Sequence, residues 1–199
     1  IYQTQLFVCE DETARKVAQI LSIRPKIADI TSALETVRHG LGLTLSQRQT
    51  EAIYMAFHSN LSIITGGPGT GKTTILRAII EVFKALYPNE KIILAAPTGR
   101  ASRRMAESRG RNDAKTLHSL LGQQGDNTSN IERQKKPLDA GLIIVDESSM
   151  MDMWLAQQFF RRIQPDTMVV LVGDVDQLQS VGAGDVFREL ISCGQVPVT

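Results

Sequence analysis

From Leu45 onward the chain alternates between short unbroken aliphatic runs and longer stretches with a helical period. The runs are LSIIT (61–65), KIILAA (91–96), LIIVD (142–146) and MVVLVGD (168–174). Runs of this length, rich in Val and Ile and free of polar interruptions, predict strands buried on both faces of a parallel sheet. The intervening segments 72–86, 99–108, 152–162 and 183–192 carry the helical period. Strand and helix in strict alternation predict a doubly wound α/β fold. Before residue 44 the pattern differs, and residues 11–38 read as two short amphipathic helices separated by Pro25. One face would carry Ala14, Val17, Ala18 and Leu21, the other Ile27, Ile30, Leu34 and Val37. The expected organisation is an N-terminal helical segment over 1–44 and an α/β domain over 45–199. Segment 122–137, GQQGDNTSNIERQKKP, shows no core face and reads as a loop or small hairpin.

Composition narrows this only a little. A chain of 199 residues with 42% apolar content can bury a real core. Its net charge of +1 advertises no global field for nucleic acid, so any basic surface must be local. No apolar stretch nears the roughly 20 residues that span a bilayer. Cys9 and Cys193 have no partners at metal-ligand spacing and read as packing thiols in a reducing, cytoplasmic setting. The chain opens without Met and closes on QVPVT, as expected of a piece of something longer.

The chemistry gathers at the ends of the aliphatic runs. Gly66, Gly71, Lys72 and Thr73 fit the P-loop spacing G-x-x-x-x-G-K-[ST] between a predicted strand and a predicted helix. Glycines let such a loop turn its N–H groups toward phosphates, and the helix adds its positive end. Lys72 would reach the β- and γ-phosphates of the nucleotide, and the Thr73 hydroxyl would ligate Mg²⁺. Asp146 and Glu147 end a buried strand, where ligands of such sheets sit. Asp146 suits a hold on Mg²⁺, and Glu147 the activation of a water. Adjacent acids here also suit the cap of a helix beginning near Met151 or Asp152. Asp174 and Gln177 follow the last run, where a neutral amide can meet the γ-phosphate or merely complete a polar turn. Ser46-x-x-Gln49 has the form of a capping box. Between Pro97 and Lys115 stand Arg100, Arg103, Arg104, Arg109, Arg111 and Lys115 against Glu107 and Asp113. That density suits either a nucleic-acid phosphate track or a solvated helix face.

GGPGTGKTT, APTGRAS, TLHSLLG, IIVDESSM and VGDVDQLQSVGAGDVF stand in the order found in RecD-like superfamily 1 DNA helicases, the family of the exodeoxyribonuclease V alpha subunit. LSQRQTEAI resembles their Q motif, so the resemblance runs over residues 45–199. It implies a RecA-like P-loop NTPase domain, the first of two motor domains, using ATP and Mg²⁺ to move along single-stranded DNA in recombination or repair. Catalytic roles would fall to Lys72, Glu147 and Gln177, and metal ligation to Thr73 and Asp146. The nucleotide would meet Gln49, Gly67, Gly69, Thr70, Gly71, Lys72, Thr73 and Thr74, with Gln49 reading the adenine. DNA would meet Thr98, Gly99, Arg100, Thr116 and His118. In such helicases the second RecA-like domain supplies arginine fingers, and QVPVT resembles the linker into it. Segment 122–137 falls where the family carries a strand-separating hairpin. Implied partners are single-stranded DNA, duplex junctions, that second domain and nuclease-complex subunits, with no membrane. A nucleotide-gated single-stranded DNA-binding subunit stays open as the alternative, whereas Glu147 directly after Asp146 disfavours a P-loop kinase.

Overall fold

The computed structural model describes residues 4–26, 29–109, 114–122, 136–177, 180 and 182–199. Its sheet is built from β1 (Leu61–Thr65), β2 (Ile92–Ala96), β3 (Lys115–Thr116), β4 (Leu142–Val145) and β5 (Met168–Gly173), in the order β1-β5-β4-β2-β3. Every neighbouring pair is parallel. The helices are α1 (Thr4–Ser22), α2 (Thr31–Gly40), α3 (Gln47–Phe57), α4 (Lys72–Leu86), α5 (Gly99–Arg109), α6 (Leu117–Leu120), α7 (Met153–Arg161) and α8 (Val186–Ser192). A 3₁₀ turn spans Ser148–Met150.

The uninterrupted apolar runs have a direct cause. Leu61, Ile63, Ile143, Val145, Val169 and Leu171 point into one core, shared with Val17 and Ile20 of α1, Phe159 and Phe160 of α7, and Phe187 of α8. Their alternates Ile64, Ile144, Val170 and Val172 point into the opposite core, with α2, α3, α4 and Met105 of α5. A strand covered on both faces favours apolar side chains at nearly every position, although β1 also buries Ser62. Phe159 and Phe160 are fully buried, each contributing roughly 1.5–3 kcal/mol of transfer free energy. The outer edge of β1 is also paired. Ile63 N–H donates to Pro197 O at 2.9 Å, and Thr65 N–H to Thr199 O at 2.8 Å. The closing residues therefore cover what would be an open strand edge.

The N-terminal helices belong to these same cores. α1 begins at Thr4 rather than near residue 11, and its buried stripe is Cys9, Thr13, Val17 and Ile20. The expected stripe of Ala14, Val17, Ala18 and Leu21 is thus wrong by a rotation, since Ala14 and Ala18 are exposed. Thr13 joins the buried face by donating its hydroxyl to Cys9 O at 2.6 Å. α2 buries Leu34 and Val37, with Ile30 just before it, as its period predicts. Cys9 is a packing thiol, but Cys193 is exposed at the end of α8, contrary to expectation.

Arg162 closes α7 and is 8% exposed. Its Nε donates to Lys136 O at 2.7 Å and its Nη1 to Leu120 O at 3.5 Å. One guanidinium thereby ties together the two flanks of the segment expected to carry a hairpin. That hairpin, over 122–137, lies outside the described residues except at its ends.

Candidate functional site

All five strands run the same way, so their carboxyl ends share one edge. Thr65 is level with Gly173, Ala96 with Thr116, and Ala95 with Val145. The loops leaving this edge and the helix starts that follow them hold the candidate residues, except Gln49, which lies in the first turn of α3. After β1 the chain turns through residues 66–71 into α4. Gly69 and Gly71, at φ +79° and +85°, occupy the left-handed region that glycine tolerates. Gly71 is the N-cap of α4 and offers no side-chain cap, so the Lys72 and Thr73 amides stay available to an anion, while Thr74 N–H donates to Gly71 O at 2.9 Å. Lys72 folds back, its Nζ donating to the carbonyls of Gly66 and of Gly67, the latter at 3.0 Å. Thr70 donates its hydroxyl to Gly67 O at 2.9 Å. Thr73 is exposed and Thr74 half-buried in the first turn of α4.

Gln49 serves two masters. The capping box is present: Ser46 Oγ accepts from Gln49 N–H at 3.3 Å, and Gln49 Oε1 accepts from Ser46 N–H at 2.9 Å. The other end of the same amide faces the loop, Nε2 lying 3.4 Å from Thr70 O. A Cβ on Gly71 would lie 2.2 Å from that Nε2. The cap of α3 and the glycine loop are therefore one packed unit, with the amide beside the end of the loop.

Asp146 continues the ladder beyond β4, its N–H donating to Ala95 O at 2.9 Å. Its Oδ1 accepts from Glu147 N–H at 2.9 Å. Glu147 stands at φ 54°, ψ 37°, the only non-glycine with positive φ among the described residues. That geometry costs about 1–2 kcal/mol, and strain of this kind gathers at functional sites. Neither acid caps a helix. Glu147 gives no side-chain cap to the 3₁₀ turn, and Asp152 caps α7, its Oδ1 accepting from Leu155 N–H at 2.8 Å. Burial pushes the Glu147 carboxyl up, and Asp146 and Asp174 push it further, while Lys72 and Arg104 draw it back down. Two cations from different elements therefore share their field with this one carboxylate.

Asp174 is 4% exposed at the tip of β5. Its Oδ1 accepts from Asp176 N–H at 3.0 Å, and Gln177 Nε2 stands 3.5 Å from its Oδ2. Gln177 is exposed and leans on this carboxylate only weakly. Asp174 shapes the turn that carries Gln177. Its position at the end of an apolar run was visible in the sequence, but its burial was not.

The candidate DNA residues occupy the next two turns. Thr98 Oγ1 accepts from Ala101 N–H at 3.2 Å and Thr116 Oγ1 from Ser119 N–H at 3.1 Å, so both hydroxyls cap the helices that follow them. A Cβ on Gly99 would lie 4.0 Å from Thr116 Cγ2, so the two turns are neighbours. Arg100 and His118 project into solvent beside them. Arg111 and Asp113 lie outside the described residues.

The residues fit a nucleotide with its metal. Thr65 Oγ1 is a buried hydroxyl without a protein partner at the mouth of the loop. Among the described residues no group of three or more His, Cys, Asp or Glu could hold a metal unaided. Mg²⁺ asks less, taking one or two protein oxygens and completing its shell with phosphates and water. Thr73 and Asp146 offer that set.

A family model described as an AAA domain matches residues 49–183. The RecBCD enzyme subunit RecD of Mycolicibacterium smegmatis is 32% identical over 214 residues, which cover 96% of this chain and 37% of that protein. The ATP-dependent RecD2 DNA helicase of Deinococcus radiodurans is 40% identical over 142 residues, covering 70% of this chain and 19% of that protein. Among solved structures, the crystal structure of the Pif1 helicase from Candida albicans superposes with a TM-score of 0.50 at 29% identity, over 70% of this chain and 34% of that one. The chain thus spans well under half the length of these relatives. With a parallel sheet, a glycine loop ending in Lys72, and Asp146–Glu147 on one edge, the chain belongs to the AAA-domain family and, within it, to the RecD-like superfamily 1 DNA helicases.

Proposed function

We propose that this chain is the ATP-hydrolysing first motor domain of a DNA helicase, coupling hydrolysis to movement on single-stranded DNA in recombination or repair. Residues 45–199 form the RecA-like domain, and 1–44 a helical segment packed on it. The observation that carries the reading is Glu147, held in a left-handed conformation at the strand tip and partly buried there, where the positive charge of Lys72 acts on it. A carboxylate that only capped a helix would need neither the strain nor the burial.

The loop amides and Lys72 hold the β- and γ-phosphates, Lys72 leaving the Gly66 and Gly67 carbonyls to do so. Thr73 and Asp146 hold Mg²⁺, which when bound offsets the charge that develops on the phosphoryl oxygens. Glu147 orients the attacking water and takes its proton. Gln177 contacts the γ-phosphate from the β5 turn. Gln49, beside the loop, reads the adenine. Thr98, Gly99, Arg100, Thr116 and His118 hold the DNA backbone at the neighbouring turns. A second RecA-like domain would complete the site with arginines, each worth roughly 10³–10⁵ in rate in related phosphoryl transfer. The partners of this reading are single-stranded DNA, duplex junctions and subunits of a nuclease complex, and its setting is the cytoplasm. No helix among the described residues is long and apolar enough to cross a membrane.

Two variants of the full-length protein test the assignment. Glu147→Gln keeps ATP affinity while turnover collapses, because only the base is lost. Lys72→Ala loses affinity as well, through the missing phosphate contact. Equal loss of affinity in both would make Glu147 a structural residue.

A further inference from the structure

Trp154, the chain's one tryptophan, stands 48% exposed in the first turn of α7, where phosphate chemistry has no use for an indole. Its mount is rigid. Asp152 caps the helix, Met153 N–H donates to Ala183 O at 3.0 Å, and a Cβ on Gly182 would lie 2.2 Å from Asp152 Oδ2. The ring is thus presented at the carboxyl edge, between the 3₁₀ turn after β4 and the loop after β5. α6 leaves that edge onto the same sheet face, since Leu117 and Leu155 share one core. β3 and β4 flank β2, so the Thr116 turn and the start of α7 are roughly 10 Å apart across the sheet.

Arg161 follows seven residues later, two turns and roughly 10 Å along α7, and projects from the same side as Trp154. Gln157 lies between them and donates its Nε2 to Glu12 Oε2 of α1 at 2.8 Å. α1 runs beside α7 in the same direction. Thr13 meets Met153 near the carboxyl edge, and at the far end Ile23 O accepts from Nδ2 of Asn60, just before β1. Between the two helices Glu12, Arg15, Lys16, Gln19, Gln157 and Arg161 line an open cleft of about 340 Å³. It holds three cations against one carboxylate, and Gln157 already engages that carboxylate. Arg15 also pairs with Asp11 at 3.0 Å, but both side chains are exposed, and such a pair yields to salt or to a phosphate. A ring followed by cations along one helix face is the layout of a single-strand track, where aromatics stack bases and cations follow the backbone. The core of a protein interface is depleted of charge, whereas this strip turns polar within one turn of Trp154.

We propose that Trp154 and the cationic cleft between α1 and α7 form a second contact for single-stranded nucleic acid, with an unpaired base stacked on the indole and backbone phosphates at Arg161, Lys16 and Arg15. This rests on the helicase reading above and extends it beyond the Thr98 and Thr116 turns. Two strands carry that chemistry: the one held at those turns, continued past Thr116, and the other strand of an opened fork.

The test is fluorescence anisotropy with the full-length protein and four probes: a short oligo-dT, a long one, a duplex with one single-stranded arm and a fork with two. Trp154→Ala is expected to weaken at least one of the three larger probes roughly five-fold or more, and Trp154→Phe to recover part of the loss. Arg161→Ala should lower the slope of log affinity against log salt by roughly 0.7, the share of one phosphate on a single strand. Glu12→Gln should tighten binding, because it removes the acid from the cleft. DNA should quench an indole emission in the wild type that Trp154→Phe lacks. A loss on the long oligo-dT or the one-armed duplex assigns the cleft to the continuing strand, and a loss confined to the two-armed fork assigns it to the other strand. Trp154 and Arg161 are exposed, so both variants should fold, and far-UV circular dichroism checks it. Unchanged affinity and salt slope on all four probes would overturn the proposal and leave Trp154 to a protein contact. A wild-type protein that binds no single-stranded DNA overturns the helicase reading itself, and the cleft with it. Short oligo-dT bound alike by wild type and variants keeps that reading standing whichever way the cleft falls.

Discussion

Gly71→Ala is the substitution whose cost the structure defines most fully. Gly71 sits at φ +85°, and the added Cβ would lie 2.2 Å from Gln49 Nε2. The left-handed conformation costs an alanine about 1–2 kcal/mol. The clash adds a second penalty, because Gln49 cannot swing away and keep its bonds. Moving the amide breaks its acceptance of Ser46 N–H at 2.9 Å and its approach to Thr70 O at 3.4 Å. Losing these two hydrogen bonds, one of them the reciprocal half of the capping box, costs about 0.5–2 kcal/mol. The total is about 1.5–4 kcal/mol, and each kcal/mol moves Tm by roughly 2–4 °C in a chain of this size. A double-mutant cycle separates the two parts. In a Gln49→Ala background no amide remains to displace, so Gly71→Ala costs only its backbone term. Urea denaturation of the four proteins, followed by far-UV circular dichroism, should show a coupling of about 0.5–2 kcal/mol. Strict additivity would refute the claim that loop and cap form one unit.

Asp166→Asn removes the partner of Lys26, whose Nζ lies 2.9 Å from Asp166 Oδ2 with both side chains roughly half exposed. The hydrogen bond from Lys26 lowers the Asp166 carboxyl and raises the Lys26 ammonium. The carboxylate's share of stability is present above the ordinary aspartate range and is lost as pH falls through the lowered value. The ammonium's share is lost as pH rises through the raised one. Thermal melts should show a deficit below about 1 kcal/mol at neutral pH that disappears in strong acid; a deficit that persists there would assign it to packing. Arg162→Ala leaves the Lys136 and Leu120 carbonyls without their buried charged donor and should cost about 1.5–3 kcal/mol by chemical denaturation. It should also raise proteolytic cleavage between residues 122 and 137, and unchanged cleavage would show that the flanks are held otherwise.

Much of this was legible in the residues because burial on two sides leaves an unbroken aliphatic run, and four such runs became β1, β2, β4 and β5. β3 was not foreseen. Lys115–Thr116 is two residues long, carries no apolar pattern and is a strand only because β2 lies beside it. The turn of α1 was misjudged for a related reason. Alanine reads as apolar, yet Ala14 and Ala18 are exposed, while the buried face includes Thr13, whose hydroxyl is satisfied within its own helix. Spacing made the glycine loop, Lys72 and the two acids visible. It could not show that Glu147 is the residue held in left-handed geometry, which arises where β4, the 3₁₀ turn and α7 meet. Two readings of Gln49 competed in the sequence, and the amide turned out long enough to cap α3 with its oxygen and face the loop with its nitrogen.

The central claim is that ATP hydrolysis at the carboxyl edge moves the protein along single-stranded DNA. It is tested most directly by ATP-driven displacement of streptavidin from biotinylated oligo-dT by the full-length protein. The account predicts displacement from one end of the oligonucleotide and not the other, and none with Glu147→Gln. DNA-stimulated hydrolysis without displacement from either end would contradict it, and would make the chain part of a nucleotide-gated DNA-binding subunit that does not translocate.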